Sequence, residues 1–256
     1  MAETKVKVEN VEVNPALERA KGFWAKFSKP IIYVGSAIIL LIGGYYAYVN
    51  FIKLPNQQKA NDAIFPAENL FGKMAAISSF SKDSVNIVLN GGVIDGQKVT
   101  GLLNVIKNYG GTPAGNRAQY ITGACYLQLK DFDKAIKYLK EFDGNGANQI
   151  QSKAYLLLGD AYAEEKKTDD ALSYYKKAGS VLSNDDASQK VLAMFTAARY
   201  AAYIGKSKDA IDILQDIKDN HEDGLVKKNP GNYQEPPPPV TMSDIDKYLS
   251  KLGVVK

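Results

Sequence analysis

The chain has 256 residues, a formal net charge of +4, one cysteine and one histidine. Basic and acidic residues are interleaved, and no basic run carries interspersed exposed aromatics, so the composition argues against nucleic acid as a partner. Cys125 lies in an apolar helical pattern, where a buried free thiol is expected, and a lone cysteine cannot form an internal disulfide bond. Packing must therefore hold the fold together, and the sequence indicates no cofactor.

The first element in chain order is an uncharged run from Pro30 to Ile52 that is rich in isoleucine and leucine. At about 1.5 Å per residue it reaches roughly 34 Å as a helix, enough to cross a hydrocarbon layer of about 30 Å. A cleaved signal peptide would have a shorter apolar core, a lipoprotein signal would need a cysteine directly after the run, and a buried globular helix would be less uniformly apolar. The run predicts a transmembrane helix over residues 30–52.

The charges beside this run differ between its two ends. The N-terminal flank carries Arg19, Lys21, Lys26 and Lys29, whereas the C-terminal flank carries Lys53 and Lys59. Because positive charge favours the cytoplasmic side, residues 1–29 are predicted to be a cytoplasmic basic tail, and the rest of the chain to lie across the membrane. Gly43 and Ala47 form a small-xxx-small pair, a candidate position for helix packing within the membrane.

Residues 53–115 are expected to hold a juxtamembrane helix and a degenerate capping hairpin. Helices are predicted over residues 67–80 and 97–109, the second ended by Gly110-Gly111-Thr112-Pro113. Between them, Ser84 to Leu89 fits either a helix or a short strand, since alternate residues are apolar. A helix is preferred in this all-α context.

From Asn116 onward the sequence repeats itself at a period of roughly 36 to 39 residues. The first copy contains Gly123, Tyr126, Ala135 and Leu139, and the second contains Gly159, Tyr162, Ala171 and Tyr175 at the same spacing. A weaker third copy contains Ala198, Ala201, Ala210, Leu214 and Ile217. The small residues let two helices of a hairpin approach closely, and each hairpin must stack on another to bury its apolar surface. Residues 116–225 are therefore predicted to form an array of helical hairpins.

Such an array has a concave face, lined by the first helix of each hairpin. The residues expected to bind a peptide or a partner there are Arg117, Tyr120, Lys153, Asp160, Arg199 and Tyr203. Ala124, Leu156 and Phe195 are expected at the same face, although Leu156 and Phe195 fit a core position equally well. Aromatic side chains would supply contact area and charged ones orientation.

Residues 226–256 are predicted to be a proline-rich tail with a short terminal helix. Pro236 to Pro239 cannot be helical, and a stiff spacer is favoured over a ligand for an aromatic groove. Ser243 is the expected cap of a helix over residues 244–252.

Two motifs suggest chemistry but fit simpler explanations. Gly205-Lys206-Ser207 resembles the end of a phosphate-binding loop, yet Tyr200 stands where that loop needs a glycine, so a turn between helices is expected. His221 lies among scattered carboxylates without a metal-ligand spacing. With one histidine and one buried cysteine, no metal site and no catalytic site is predicted, and the protein is not expected to be an enzyme.

The Leu158-Gly159, Tyr162 and Ala171 positions, with their counterparts in the first copy, resemble the tetratricopeptide repeat. The whole arrangement resembles the YfgM-like membrane-anchored proteins of Gram-negative bacteria, and Tyr109-Gly110-Gly111-Thr112 is similar to the form found in Bacteroidetes. The resemblance implies a single-pass inner-membrane protein whose periplasmic repeats associate with the SecYEG translocon and with a chaperone of the PpiD type or an emerging polypeptide. The alternative is an N-anchored receptor facing the cytosol that binds chaperone or precursor segments, as in organelle import.

Overall fold

The computed structural model describes residues 15–94, 96–225 and 240–254. The chain divides into two compact units, Met1–Pro55 and Asn56–Lys256. In the first unit, helix α1 covers Pro15–Tyr48 and a π-helix follows over Val49–Lys53. Helix α1 contains a stretch long and apolar enough to cross a membrane, and none of that stretch is buried. Because α1 begins at Pro15, the described part of the predicted basic tail is helical.

Helix α2 covers Leu54–Ala76, so all but its first two residues belong to the second unit, and helix α3 follows over Lys82–Asn90. The helix expected over residues 67–80 therefore begins earlier and ends sooner, because the chain turns at Ser78, whose φ is 49°. Helix α3 confirms the preference for a helix at residues 84–89. The Ser81 side chain caps it by accepting a 3.1 Å hydrogen bond from the Ser84 amide.

A short β-hairpin follows, which the sequence analysis did not predict. Strands β1, Gly91–Ile94, and β2, Gln97–Thr100, pair antiparallel with Gly92 opposite Val99. Gly91 and Gly96 have φ values of 87° and 75°, which side chains disfavour and glycine tolerates. The prediction of a helix from residue 97 was wrong, because Gln97–Thr100 is a strand of this hairpin. Helix α4 covers only Leu102–Tyr109.

Three helical hairpins make up most of the second unit. The first pairs α5, Pro113–Gln128, with α6, Phe132–Glu141; the second pairs α7, Asn148–Glu164, with α8, Thr168–Ser180; the third pairs α9, Ala187–Tyr203, with α10, Ser207–Asn220. Short 3-10 helices at Asn184–Asp186 and Glu222–Gly224 flank the third hairpin. Each helix packs on its partner in the hairpin, and the second hairpin packs on both the first and the third.

The three hairpins share one backbone turn, although the third matches the repeat pattern least well. Lys130, Lys166 and Gly205 occupy the left-handed region, with φ of 61°, 60° and 80°. The amide of the next residue then donates to a carbonyl five residues earlier, as from Lys206 to Ala201 over 2.8 Å. Gly205-Lys206-Ser207 is therefore a turn between helices, as the sequence indicates.

Close approach within each hairpin depends on the repeated small residues. A Cβ atom added at Gly123 would lie 2.5 Å from Cγ of Leu139, and one added at Gly159 would lie 2.5 Å from Cε1 of Tyr175. Ala135, Ala171 and Ala210 are fully buried in the second helices. The expectation that small side chains permit the helix crossing is confirmed at these positions.

The last helix, α11, covers Met242–Lys251. Ile245 and Leu249 are buried against the third hairpin, in a cluster that includes Val191 and Phe195. Ser243 is not its cap: Thr241 holds that position, with Asp244 completing a capping box, because the two residues are spaced to satisfy each other's backbone amides. The predicted proline spacer lies outside the described residues.

Candidate protein-binding surface

The candidate site is an open groove of about 570 Å³ where α8, α9 and α11 meet. We call it the tyrosine pocket, and its lining includes Tyr175, Thr196, Arg199, Tyr200, Tyr203 and Tyr248. Four of these side chains are phenols, which offer an apolar face together with a hydroxyl that donates and accepts hydrogen bonds. Such a surface can pack on apolar groups and pair with backbone amides of a bound polypeptide.

The rings of the pocket touch one another in sequence. The centroid of Tyr200 lies 5.0 Å from that of Tyr175 and 6.2 Å from that of Tyr203. Tyr248 reaches the pocket from α11 and meets Phe195 edge-on at 5.3 Å. The terminal helix therefore contributes directly to this surface.

One hydrogen bond fixes the floor of the pocket. The Tyr175 hydroxyl donates to Oδ1 of Asp160 over 2.7 Å and so ties α8 to α7. Desolvation raises the pKa of Asp160 above its ordinary value, more than the Tyr175 hydrogen bond lowers it, and the nearby Glu164 charge raises it further. Burial also raises the pKa of Tyr175, and its bond to Asp160 adds to that effect. The phenol thus stays protonated as the donor of this pair.

Arg199 is the charged residue among those lining the pocket. Its side chain is exposed, and its guanidinium carbon lies 6.0 Å from the ring centroid of Phe195. Within the described ranges, no carboxylate lies at ion-pair distance from Arg199. Because a guanidinium pairs with a carboxylate through two parallel hydrogen bonds, the pocket favours an acidic or carboxylate-bearing segment.

Three of the six residues predicted to bind a partner come together here. Arg199 and Tyr203 line the pocket, and Asp160 lies behind it through Tyr175. Tyr203 is 86% exposed, which leaves its ring free for contact. Their role in binding remains a prediction.

The other three lie elsewhere. Arg117 is tied to α2, where its Nε donates to Glu68 over 3.0 Å and its Nη2 to Asn61 over 3.3 Å. Tyr120 packs on Phe142 at 5.4 Å between centroids, and burial raises its pKa. Lys153 is exposed on α7. The structure thus gives Arg117 a bracing contact within the fold.

The sequence analysis did not predict Tyr175, Tyr200 and Tyr248 as site residues. Tyr175 stands in the repeat position that Leu139 holds in the first copy, and that replacement of an aliphatic by a phenol was an available signal. Tyr248 gave no such signal, because its place beside Phe195 depends on how α11 packs. Phe195 itself is 8% exposed and belongs to the core, one of the two readings open for it.

A second groove of about 470 Å³ lies between the first two hairpins and is lined in part by Lys140, Tyr174 and Lys177. Tyr162 and Tyr174 stack at 5.3 Å with their planes 9° apart. Lys140 lies over Tyr162 at 5.3 Å, and Lys177 over Tyr174 at 4.6 Å. A hydrogen bond with Tyr162 raises the pKa of Lys140. This groove offers cations already placed against aromatic faces.

The two remaining sequence motifs lie outside the linings of both grooves. Lys206 pairs with Asp169 on the second hairpin. Nε2 of His221 lies 3.9 Å from Oδ2 of Asp216. Within residues 15–94, 96–225 and 240–254, no three histidine, cysteine or acidic side chains are grouped as metal ligands. Gly43 lies in α1 with open space around its Cβ position, and its packing role with Ala47 stays a prediction.

Comparison with known protein families matches the tetratricopeptide repeat twice, at residues 102–150 and at residues 152–178. Neither the curated proteins nor the solved structures gave a significant match to this chain. The two matched segments cover α4 and nearly all of the first two hairpins, which confirms the repeat interpretation there. The chain thus combines a tetratricopeptide-repeat array with one long apolar N-terminal helix, a candidate membrane span.

Proposed function

We propose that this protein is a membrane-anchored scaffold whose repeats bind a polypeptide at the tyrosine pocket. Tetratricopeptide repeats are protein-interaction modules and typically carry no catalysis. The observation that carries the proposal is the pocket itself, a cluster of four phenols around the guanidinium of Arg199, which has no carboxylate at ion-pair distance among the described residues. Anchoring raises the effective concentration of such a site near a membrane partner, so modest affinity is enough.

Site-specific photocrosslinking tests this binding role. A photoreactive phenylalanine at Tyr203 should capture a polypeptide in intact cells, whereas the same residue at exposed Lys208, on α10 outside the pocket, should not. Adding Arg199→Glu to the Tyr203 probe should lower the yield about tenfold or more, because a carboxylate of the partner would meet a like charge. Equal yields from both probe positions, or yields unchanged by Arg199→Glu, would count against the pocket.

At finer detail, we propose that the array is periplasmic and that the partner belongs to the SecYEG translocon or is a translocon-associated chaperone. The support is the excess of basic residues before the span, together with the resemblance of the whole arrangement to YfgM-like proteins. Affinity purification from gently solubilised membranes should recover translocon subunits or an envelope chaperone. Repeated recovery of neither would overturn this assignment while leaving the scaffold role intact.

The alternative, a cytosol-facing receptor, draws on the small charge difference, since Lys53 and Lys59 also flank the span. Protease protection separates the two orientations. If the array is periplasmic, protease digests it once the outer barrier is opened and the inner membrane is still sealed. If the array faces the cytosol, it survives that treatment and is digested only after the inner membrane is opened.

A further inference from the structure

The helical segment ahead of the predicted span, residues 15–29, carries large apolar side chains that the structure leaves exposed. The exposed fractions are 53% for Leu17, 57% for Phe23, 58% for Trp24 and 39% for Phe27. Phe23 and Phe27 pack on each other at 4.8 Å between centroids. No residue of α1 is buried. A cluster of this size normally marks a surface that another apolar phase covers.

The apolar and basic residues of this segment occupy different sides of the helix. Successive residues of an α-helix are rotated by about 100°, so Leu17, Ala20, Phe23, Trp24 and Phe27 fall within an arc of about 120°. Arg19, Lys21, Lys26 and Lys29 all lie outside that arc, and Glu18 is the one acidic residue of the segment. The segment is therefore amphipathic, with a cationic polar side and an aromatic apolar side.

This division matches helices that lie along a membrane surface. Tryptophan and phenylalanine settle at the boundary between headgroups and acyl chains, while lysine and arginine pair with anionic headgroups. The segment continues directly into the predicted span, so membrane insertion of residues 30–52 would hold it at headgroup depth. Continuity with the span and its net positive charge both indicate an anionic lipid surface as the partner.

Pro30 gives the helix a place to bend. Proline has no amide hydrogen, so the Lys26 carbonyl lacks its usual partner, and the proline ring crowds that turn. Without a bend, residues 15–29 would extend about 22 Å beyond the span and leave the aromatic arc in water. We propose that residues 15–29 form an interfacial helix that bends at Pro30 and lies on an anionic leaflet, with Trp24 at the acyl boundary. This rests on the membrane insertion proposed above.

Trp24 is the one tryptophan of the chain, so its fluorescence reports on this segment alone. The full-length protein would be placed in nanodiscs of phosphatidylcholine and in nanodiscs that also contain phosphatidylglycerol. In the anionic discs we expect strong quenching by lipids brominated near the top of the acyl chains and at least a threefold loss of quenching by aqueous iodide. In the neutral discs iodide should quench Trp24 more strongly.

Replacing Arg19, Lys21, Lys26 and Lys29 by glutamine should remove the difference between the two discs. The matched control replaces Lys98, Lys107, Lys137 and Lys208, which are exposed in the second unit, and should keep that difference. Trp24 open to iodide in both discs, or equally protected in both, would overturn the proposal. If the protein incorporates into the discs but Trp24 stays in water, the interfacial helix is refuted and the membrane anchor is not. If the protein fails to incorporate, the membrane anchor itself is refuted.

Discussion

The Tyr175 hydroxyl and the Asp160 carboxylate are joined by a 2.7 Å hydrogen bond that links the second hairpin's two helices beneath the tyrosine pocket. The bond stabilises the ionised carboxylate, whereas desolvation and Glu164 oppose ionisation and raise the Asp160 pKa above its ordinary 3.8. Tyr175→Phe should therefore raise the Asp160 pKa further, because the stabilising donor is lost. Carboxyl chemical shifts followed against pH by NMR would measure this, and a fall in the pKa would contradict it.

The same raised pKa sets the sign of a pH effect on stability. Because folded Asp160 binds a proton at higher pH than unfolded Asp160 does, its contribution to the free energy of unfolding increases as pH falls through the folded pKa toward the ordinary value. Asp160→Asn should therefore be at least as stable as the parent at neutral pH, since an amide oxygen can still accept from Tyr175. The difference should disappear in acid. Urea unfolding in mild detergent at several pH values would show it, and a large loss at neutral pH would argue against it.

Gly159 tests the close packing that positions Tyr175. A methyl group there would overlap the Tyr175 ring at 2.5 Å, and this overlap should lower the free energy of unfolding of Gly159→Ala by about 1–3 kcal/mol. The higher helix propensity of alanine should return roughly 1 kcal/mol of that loss. Gly72 in α2 has nothing within 4 Å of its Cβ position. Gly72→Ala should therefore be neutral or stabilising, and equal effects of the two changes would refute the packing argument.

The shared turn predicts opposite effects of two exchanges. Lys166 has a φ of 60°, a conformation that costs a residue with a side chain about 1–2 kcal/mol. A glycine at this position would avoid that cost, but its greater freedom in the unfolded chain would offset part of the gain. Lys166→Gly should stabilise the fold by about 0.5–1 kcal/mol, and Gly205→Ala, at a φ of 80°, should destabilise it by a similar amount. Thermal unfolding would measure both, and two changes of the same sign would refute the argument.

Cys125 should be inert while the protein is folded. The thiol is fully buried, and burial raises its pKa to about 12, so almost no thiolate exists at neutral pH. A chromogenic disulfide reagent should react with it only as fast as the array opens. Ser207→Cys, at an exposed position, should add one fast-reacting thiol as the control. Rapid reaction of Cys125 in the parent would show that the first hairpin is not closed as described.

The N-terminal cap of α11 is Thr241 in the structure, whereas the sequence predicted Ser243. Asp244 N–H donates to Oγ1 of Thr241 over 3.3 Å, so Thr241→Ala should cost about 1 kcal/mol of unfolding free energy. Ser243→Ala should change it by less than about 0.5 kcal/mol, because Ser243 is exposed inside the helix. The reverse order of effects would restore Ser243 as the cap.

What the sequence determined by itself is local and periodic. The uncharged run from Pro30 to Ile52 predicts a membrane span from its length and its apolar composition. The spacing of Gly123, Gly159 and their partners predicts helical hairpins, because helix crossing needs small residues at regular intervals. The β-hairpin at residues 91–100 was missed, since two glycines with positive φ override the apolar pattern there.

Only the tertiary structure decided which side chains share a surface. Arg117 and Arg199 both fall at the predicted concave positions, yet one braces α2 through Glu68 and the other stands unpaired beside four tyrosines among the described residues. That difference depends on which helix packs over each position, and Tyr248 joins the pocket only because α11 folds back on the third hairpin. Spacing along one helix sets the face a residue occupies, whereas long-range packing sets what meets it there.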